Sequence, residues 1–505
     1  MHLVLRGILT NYVQIFVVLV VNFIITPILV KHLGQTAYGV WATISSIVGY
    51  FLLMDFGMNT AIAKYTAENR AKNDFQYLNK IISTTIALIL ALSFLIFLLS
   101  MGIMPFFPAL LHIEDNLISI GRITFFLMSL NSILVLIGSV LGNIIYGYQR
   151  VDIWKLFSIV YWITNAILTF SLLNLGAGLI GAAVATILST CILIGLYLGF
   201  LNYRMQEIAI TPRLFDFGVL KSILPYSLRT FVLQICSRIV NYTGPLIIAF
   251  FLGAASVTPF DITYKLCFYA TWFFSIISSA LFPKFAETYA IGDLQLLRNL
   301  YFKAIKVTLA IMAITGIFLL FWGHPFIVMW AGRDSFAGFK VLILLLVMNI
   351  FHAVGTPGVF ILQGIGRNEL LTYSEIANAV LTLVLCSIFV TKYGILGVAL
   401  GTLISHVSTS FWVIQVAAKK YLKFAPSDYF RSAILSPLIS GVLACTTVIL
   451  LRNYFFPPAN LLKIFLNGVC VFFIYLLFFS IFGPTADERH LLCTFVKRYN
   501  FFRIR

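Results

Sequence analysis

Apolar residues run along this chain in blocks of about 20, separated by short polar gaps. A helix of that length spans a hydrocarbon layer ~30 Å thick. The blocks predict helices over 8–30, 38–58, 81–104, 117–147, 156–174 and 177–200. A second set of six follows over 223–251, 256–281, 307–330, 341–363, 369–391 and 396–418, and two more over 432–451 and 464–482. The expected fold is therefore an all-α polytopic membrane protein with about 14 transmembrane helices. It divides into two pseudo-symmetric six-helix lobes (1–205 and 206–425), two additional transmembrane helices (426–482) and a basic cytoplasmic tail (483–505).

Composition supports lipid as the solvent. Of the 505 residues 61% are apolar and 10% charged, too few polar groups to cover a water-soluble protein of this size. The formal charge is +17, from 34 Lys and Arg against 17 Asp and Glu. These cations lie in the gaps between apolar blocks, which is the pattern of cytoplasmic membrane loops and argues against nucleic acid as a partner. The tails and the loops after even-numbered helices hold 24 of them, the other loops 6, and four (Arg122, Arg229, Arg238, Lys265) fall inside helices. Both termini are expected in the cytoplasm. The outer loops are too short to form a domain. The seven cysteines form no CxxC pair; all but Cys493 lie inside apolar blocks, and they read as small buried hydrophobes rather than disulfides or metal ligands. The block Gly7–Val30 lacks a small-x-small cleavage site and reads as a first membrane helix, not a removable leader.

The halves repeat. Gly178-Leu-Ile-Gly-Ala-Ala-Val-Ala-Thr-Ile-Leu-Ser189 matches Gly394-Ile-Leu-Gly-Val-Ala-Leu-Gly-Thr-Leu-Ile-Ser405 at five of twelve positions. Leu33-Gly34 corresponds to Leu252-Gly253, Gly138 to Gly355, Gly147 to Gly364 and Arg150 to Arg367, all at offsets of 216–219 residues. Six helices per half is an even number, so both halves insert in the same direction. Such parallel repeats place a binding site between them, as an alternating-access carrier requires.

The N-terminal hairpin carries a specific pattern: Pro27-Ile-Leu-Val-Lys-His-Leu-Gly34, Tyr38-Gly39-Val-Trp41, Leu53-Met-Asp55-Phe-Gly57 and Ala61-Ile-Ala-Lys-Tyr65. It resembles the oligosaccharide-repeat-unit flippases, O-antigen flippases among them. Their superfamily also holds multidrug antiporters and the lipid II flippase. The resemblance implies a V-shaped, two-lobed fold in a bacterial inner membrane. It also implies movement of an undecaprenyl-pyrophosphate-linked oligosaccharide from the cytoplasmic to the outer leaflet. Many O-antigen flippases have twelve spans. The final pair here looks like that of the lipid II flippase, where the extra helices form a groove for the lipid tail.

Ionisable groups inside membrane helices are costly and mark function by default. Ser227, Thr230, Gln234, Arg238 and Asn241 recur at helical spacing as one polar stripe, and Asp261 and Lys265 share a face of the next helix. Counted from Gly253 at ~1.5 Å per residue, Arg238 and Lys265 lie at similar depth near mid-membrane. With the resemblance, they are candidates for the pyrophosphate; the alternative is that Lys265 pairs with Asp261 and Arg238 braces the hairpin. Arg229 is a further substrate candidate or a snorkelling cation. Gln14 and Asn22, with Asn11 on the same stripe, and Asn241 are candidates for sugar hydroxyls or for helix-to-helix hydrogen bonds. Asp55 reads as a gate latch or structural lock paired with Lys64. Glu375 is a candidate H+ or Na+ coupling site, or a partner for a nearby Arg or backbone group. His352 and His406 read as hydrogen-bonded core residues.

No Walker A, HExxH or GxSxG motif occurs, and Gly176-Ala-Gly178-Leu-Ile-Gly181 follows no strand. No cofactor is expected; transport draws on ion gradients. The aromatic, basic tail suits an anionic inner leaflet or docking of glycan-polymerase and chain-length-control proteins. Two rival readings remain, a cation-coupled multidrug exporter of the same superfamily and a membrane glycan polymerase or ligase.

Overall fold

The computed structural model describes residues 2–483 apart from residue 112, and no strand occurs among them. All but the first residue of the expected basic tail therefore lies outside the described residues. The helices in chain order are α1 His2–Phe51, α2 Met58–Ala71, α3 Phe75–Ile103, α4 Phe107–Leu110, α5 Ile118–Gly147 and α6 Val151–Asn174. Next come α7 Gly178–Arg204, α8 Phe217–Leu252, α9 Val257–Ile291, α10 Leu294–Ala331, α11 Phe339–Gly364 and α12 Asn368–Tyr393. The last are α13 Ile395–His406, α14 Trp412–Leu422, α15 Pro426–Tyr429, α16 Leu435–Leu450 and α17 Leu461–Phe482. π-helical turns over Val407–Phe411 and Phe430–Ile434 join α13 to α14 and α15 to α16.

Among the described residues 13 helical stretches are long and apolar enough to cross a membrane. The first of these, Leu9–Asp55, holds two spans, because α1 breaks at Gly34 (φ 78°, ψ 173°). Counting it twice gives the expected 14. The break needs glycine: at that positive φ a Cβ would crowd the backbone. The turn expected to match it does so, with Gly253 at φ 84°, ψ 161° ending α8. Further along, Arg150 N donates to Ile145 O at 3.2 Å and Arg367 N to Leu362 O at 2.8 Å, the same wide turn 217 residues apart.

Contact density groups the chain into two compact units. One comprises Met1–Asp261 and Ala379–Thr402, the other Ile262–Asn378 and Leu403–Arg505.

In the first unit, α5, α6 and α7 pack together with α1. The amphipathic α2 lies against α3 and α5, and Met58, Ala61, Ile81, Val219 and Ile223 form an apolar cluster under it. Helix α2 enters after a left-handed Phe56-Gly57 pair, where Asp55 accepts from Gly57 N (2.9 Å) and Asn59 Nδ2 (2.8 Å).

In the second unit, α10 runs between α11 on one side and α16 and α17 on the other. The two C-terminal helices are seated by Trp322, Ala444, Val448, Ile464, Val471 and Tyr475. Buried Thr308 and Asn349 spend their polar groups on Ala353 O (2.6 Å) and Cys267 O (2.7 Å). Neighbouring helices satisfying each other in this way is the rule where water cannot. Of the cysteines read as buried, Cys236, Cys267 and Cys386 are; Cys445 and Cys470 are half-buried, and Cys191 is exposed.

Candidate functional site

The first unit holds a polar seam where α1 meets the turn between α8 and α9. Gly39 lies so close to this turn that a Cβ on it would sit 1.9 Å from Ala254 O. Glycine is required here by proximity, not by φ. Thr258 Oγ1 donates to Gln35 O at 2.6 Å, and Tyr38 OH donates to Asp261 Oδ2 at 2.7 Å. Tyr38 and Asp261 are buried, at 1% and 8% exposure. Deeper along the seam Tyr50 OH and Thr243 Oγ1 share a hydrogen bond of 2.6 Å, and the Tyr242 ring fills the space left by Gly49. The residues Tyr38-Gly39 that carry the family-like pattern are thus those that grip the second hairpin.

Arg238 stands beyond Tyr242 at the end of this seam away from Gly39. Its guanidinium lies 5.0 Å from the Tyr242 ring centroid and donates to Tyr242 OH at 2.8 Å. It is within electrostatic reach of Asp55. Lys64, the expected partner of Asp55, has its ammonium 3.7 Å from Glu68. Asn241 Nδ2 donates to Ser237 O (2.7 Å), and Asn22 Nδ2 to Val18 O (2.8 Å). The two amides expected at matching depth thus make matching bonds, each one turn back along its own helix. Gln234 is half-buried on the Arg238 stripe. Arg229 lies in α8, but its side chain is outside the described residues.

A cleft of mixed lining opens elsewhere in this unit, between α5, α6 and α7, with a volume of about 280 Å³. Gln14 reaches its edge: Oε1 accepts from Lys155 Nζ at 3.3 Å, and Nε2 donates to Ser158 Oγ at 3.4 Å. Lys155 escaped sequence reasoning because the apolar block begins at residue 156, which left it among the loop cations. Helix α6 starts earlier, at Val151, and carries the lysine inward.

The second unit contains Lys265 and Glu375. Lys265 is half-buried on α9. Glu375 accepts from Ser410 Oγ at 3.1 Å and from Asn378, so a carboxylate on α12 faces a π-helical turn. Such turns displace side chains from the regular helical register and recur at functional sites. One turn earlier His406 stacks on His352, ring centroids 4.0 Å apart, with His406 Nε2 buried and unpartnered among the described residues. These histidines were expected as hydrogen-bonded core residues and are a face-to-face pair instead.

A larger cavity of about 830 Å³ lies between α10, α11, α14 and α16. Its walls are apolar, with Met312, Val347, Phe351 and Leu438 among them, and Gln415, Lys419 and Tyr429 are its polar lining residues.

A family model described as polysaccharide biosynthesis protein matches residues 4–289, more than half of the sequence. The chain belongs to this family. The match covers the Gly34 hairpin, the Tyr38–Asp261 seam and the Lys155 cleft. A putative O-antigen transporter of Salmonella typhi is 22% identical over 429 residues, covering 82% of this family member and 95% of the relative. An uncharacterized membrane protein, EpsK, of Bacillus subtilis is 22% identical over 495 residues, covering 92% and 93% of the two chains. Among solved structures, the lipid II flippase MurJ in an inward closed conformation has a TM-score of 0.74 at 16% identity, covering 95% of this chain and all of that one. A multidrug resistance MATE family transporter of the MOP superfamily, in an inward-facing conformation, has 0.68 at 18%, covering 80% and 94%. The fold is shared with these solved transporters.

Proposed function

We propose that this family member is a flippase that carries an undecaprenyl-pyrophosphate-linked oligosaccharide from the cytoplasmic to the outer leaflet by alternating access. It is a transporter, not an enzyme. The observation that carries the lipid-linked substrate is the match of residues 4–289 to a polysaccharide biosynthesis family, and the 830 Å³ apolar cavity, one wall of which is α16, offers a place for a lipid tail. The prenyl tail lies there while the headgroup crosses.

In this reading Arg238 and Lys265 receive the pyrophosphate, Arg238 in bidentate fashion. Asn22 and Asn241, whose amide nitrogens are already engaged, offer carbonyl oxygens to sugar hydroxyls; Gln234 and Gln14 supply further amides, and Arg229 an outlying cation. The Tyr38–Asp261 seam is the outer gate, and Asp55 steadies Arg238 at its inner end. Glu375 binds the coupling ion, H+ or Na+. An inside-negative potential of 100 mV favours outward movement of each uncompensated negative charge by ~2.3 kcal/mol. Ion coupling therefore serves mainly to reset the empty carrier. Both termini face the cytoplasm, and the repeat at 1–205 and 206–425 supplies the two moving lobes. The tail beyond 483 gives glycan-polymerase and chain-length-control proteins a docking surface.

The test replaces Arg238 and Lys265 by Ala, singly and together, in cells that depend on the protein for surface glycan. Each single variant is expected to lower export and the pair to abolish it. Undiminished glycan at normal protein level rejects the cationic site. Drug efflux by proteoliposomes lacking lipid-linked glycan export would favour the multidrug reading instead.

A further inference from the structure

Lys155 lacks what a lysine in a membrane helix normally has. It stands four residues into α6, ~6 Å from the helix start, within a stretch apolar enough to span. Its ammonium donates to the neutral Gln14 and lies 4.6 Å from the Trp154 ring centroid. Among the described residues no carboxylate pairs with it. The acids near this end of the bundle are engaged elsewhere: Arg150 holds Asp152 through both oxygens, at 3.0 and 3.2 Å, and Tyr148 OH donates to Glu207 at 3.0 Å. Lys155 is half-buried, and a cation partly withdrawn from water without an anion leaves the cleft suited to receive one.

The rest of the cleft specifies what carries that anion. Trp154, Tyr161 and Trp162 contribute flat aromatic surface, which suits the C–H faces of a sugar ring. Ser158 and Asn143 line it as well, and Asn143 Nδ2 is spent on Ser139 O (2.8 Å), leaving its carbonyl oxygen to accept a hydroxyl. Thr190 Oγ1 is held by Asn131 Oδ1 at 2.8 Å and Thr186 O at 2.9 Å, so this wall is fixed in advance of any ligand. A volume of about 280 Å³ has room for one sugar residue.

We propose that the cleft between α5, α6 and α7 is a subsite for a single acidic sugar, a pyranose bearing a carboxylate, with Lys155 receiving the carboxylate and the aromatic wall the ring. The proposal rests on the flippase reading and narrows it: the transported glycan contains an anionic residue besides its pyrophosphate.

The test uses the full chain in nanodiscs of neutral lipid, titrated with glucuronate, its neutral isostere glucuronamide, and inorganic pyrophosphate at constant ionic strength. Saturation-transfer NMR reads binding. The expected result is glucuronate about tenfold tighter than glucuronamide, a preference lost in Lys155→Gln and retained in Lys155→Arg. Equal binding of the two sugars by the unmodified chain overturns the proposal without any variant, leaving Lys155 a solvated structural residue. So does a glucuronate preference that survives in Lys155→Gln. Pyrophosphate that binds through Lys155 while glucuronate does not assigns the anion to the lipid carrier and overturns the acidic sugar. Binding here requires no translocation. A chain that prefers glucuronate yet moves no lipid-linked glycan sinks the flippase reading alone; one that moves glycan without the preference sinks the subsite alone.

Discussion

Replacing Tyr38 by Phe removes one oxygen and leaves the ring in place, so its effect reports on the seam's central hydrogen bond. Tyr38 OH donates to a buried Asp261 carboxylate at 2.7 Å. Hydrogen bonds to charged groups contribute ~1.5–3 kcal/mol, more than neutral ones, because the carboxylate has no water to turn to when the donor leaves. If opening of the seam breaks this bond, Tyr38→Phe shifts the opening equilibrium by that amount, roughly 10- to 150-fold at ~1.4 kcal/mol per decade. The shift can be read at Val257, which is fully buried beside the seam. In a background without native cysteines, Val257→Cys should react with a membrane-impermeant maleimide only when the seam opens. With opening fast relative to reaction, the labelling rate scales with the open population. Tyr38→Phe should therefore label at least about tenfold faster, with thermal unfolding in detergent little changed. A rate within twofold of the parent, in a folded protein, refutes the assignment of this bond as a gate contact.

Two further outcomes test other parts. Glu375→Gln keeps one acceptor oxygen for Ser410 but removes the charge; transport in proteoliposomes should lose at least about tenfold of its dependence on a proton or sodium gradient while the fold survives, and an unaltered gradient dependence removes Glu375 from coupling. Gly441 lines the large cavity, and a Cβ there meets Ala313 at an ordinary 3.6 Å, so Gly441→Trp should fold, fill the cavity with its indole and abolish glycan export; full export at normal protein level would dissociate the cavity from the substrate.

Much of this molecule was legible in its sequence because lipid imposes a severe code. In hydrocarbon every backbone group must be satisfied within its own segment, so apolar length alone announces a helix. The 14 predicted spans and the helical seams at Gly34 and Gly253 follow from that constraint and from the backbone freedom of glycine. Candidate residues such as Arg238 and Glu375 were visible for a related reason, since a charge within an apolar block stands out. What tertiary structure alone decided is partnership. Tyr38 and Asp261 are 223 positions apart, and no periodicity joins them. Lys155 looked like a loop cation until α6 began four residues before it, and the stacking of His352 on His406 depends on how α11 meets α13. Helix formation is local and is written in successive side chains. Which side chains meet is set by packing between distant segments, where polar groups must find one another because water is absent.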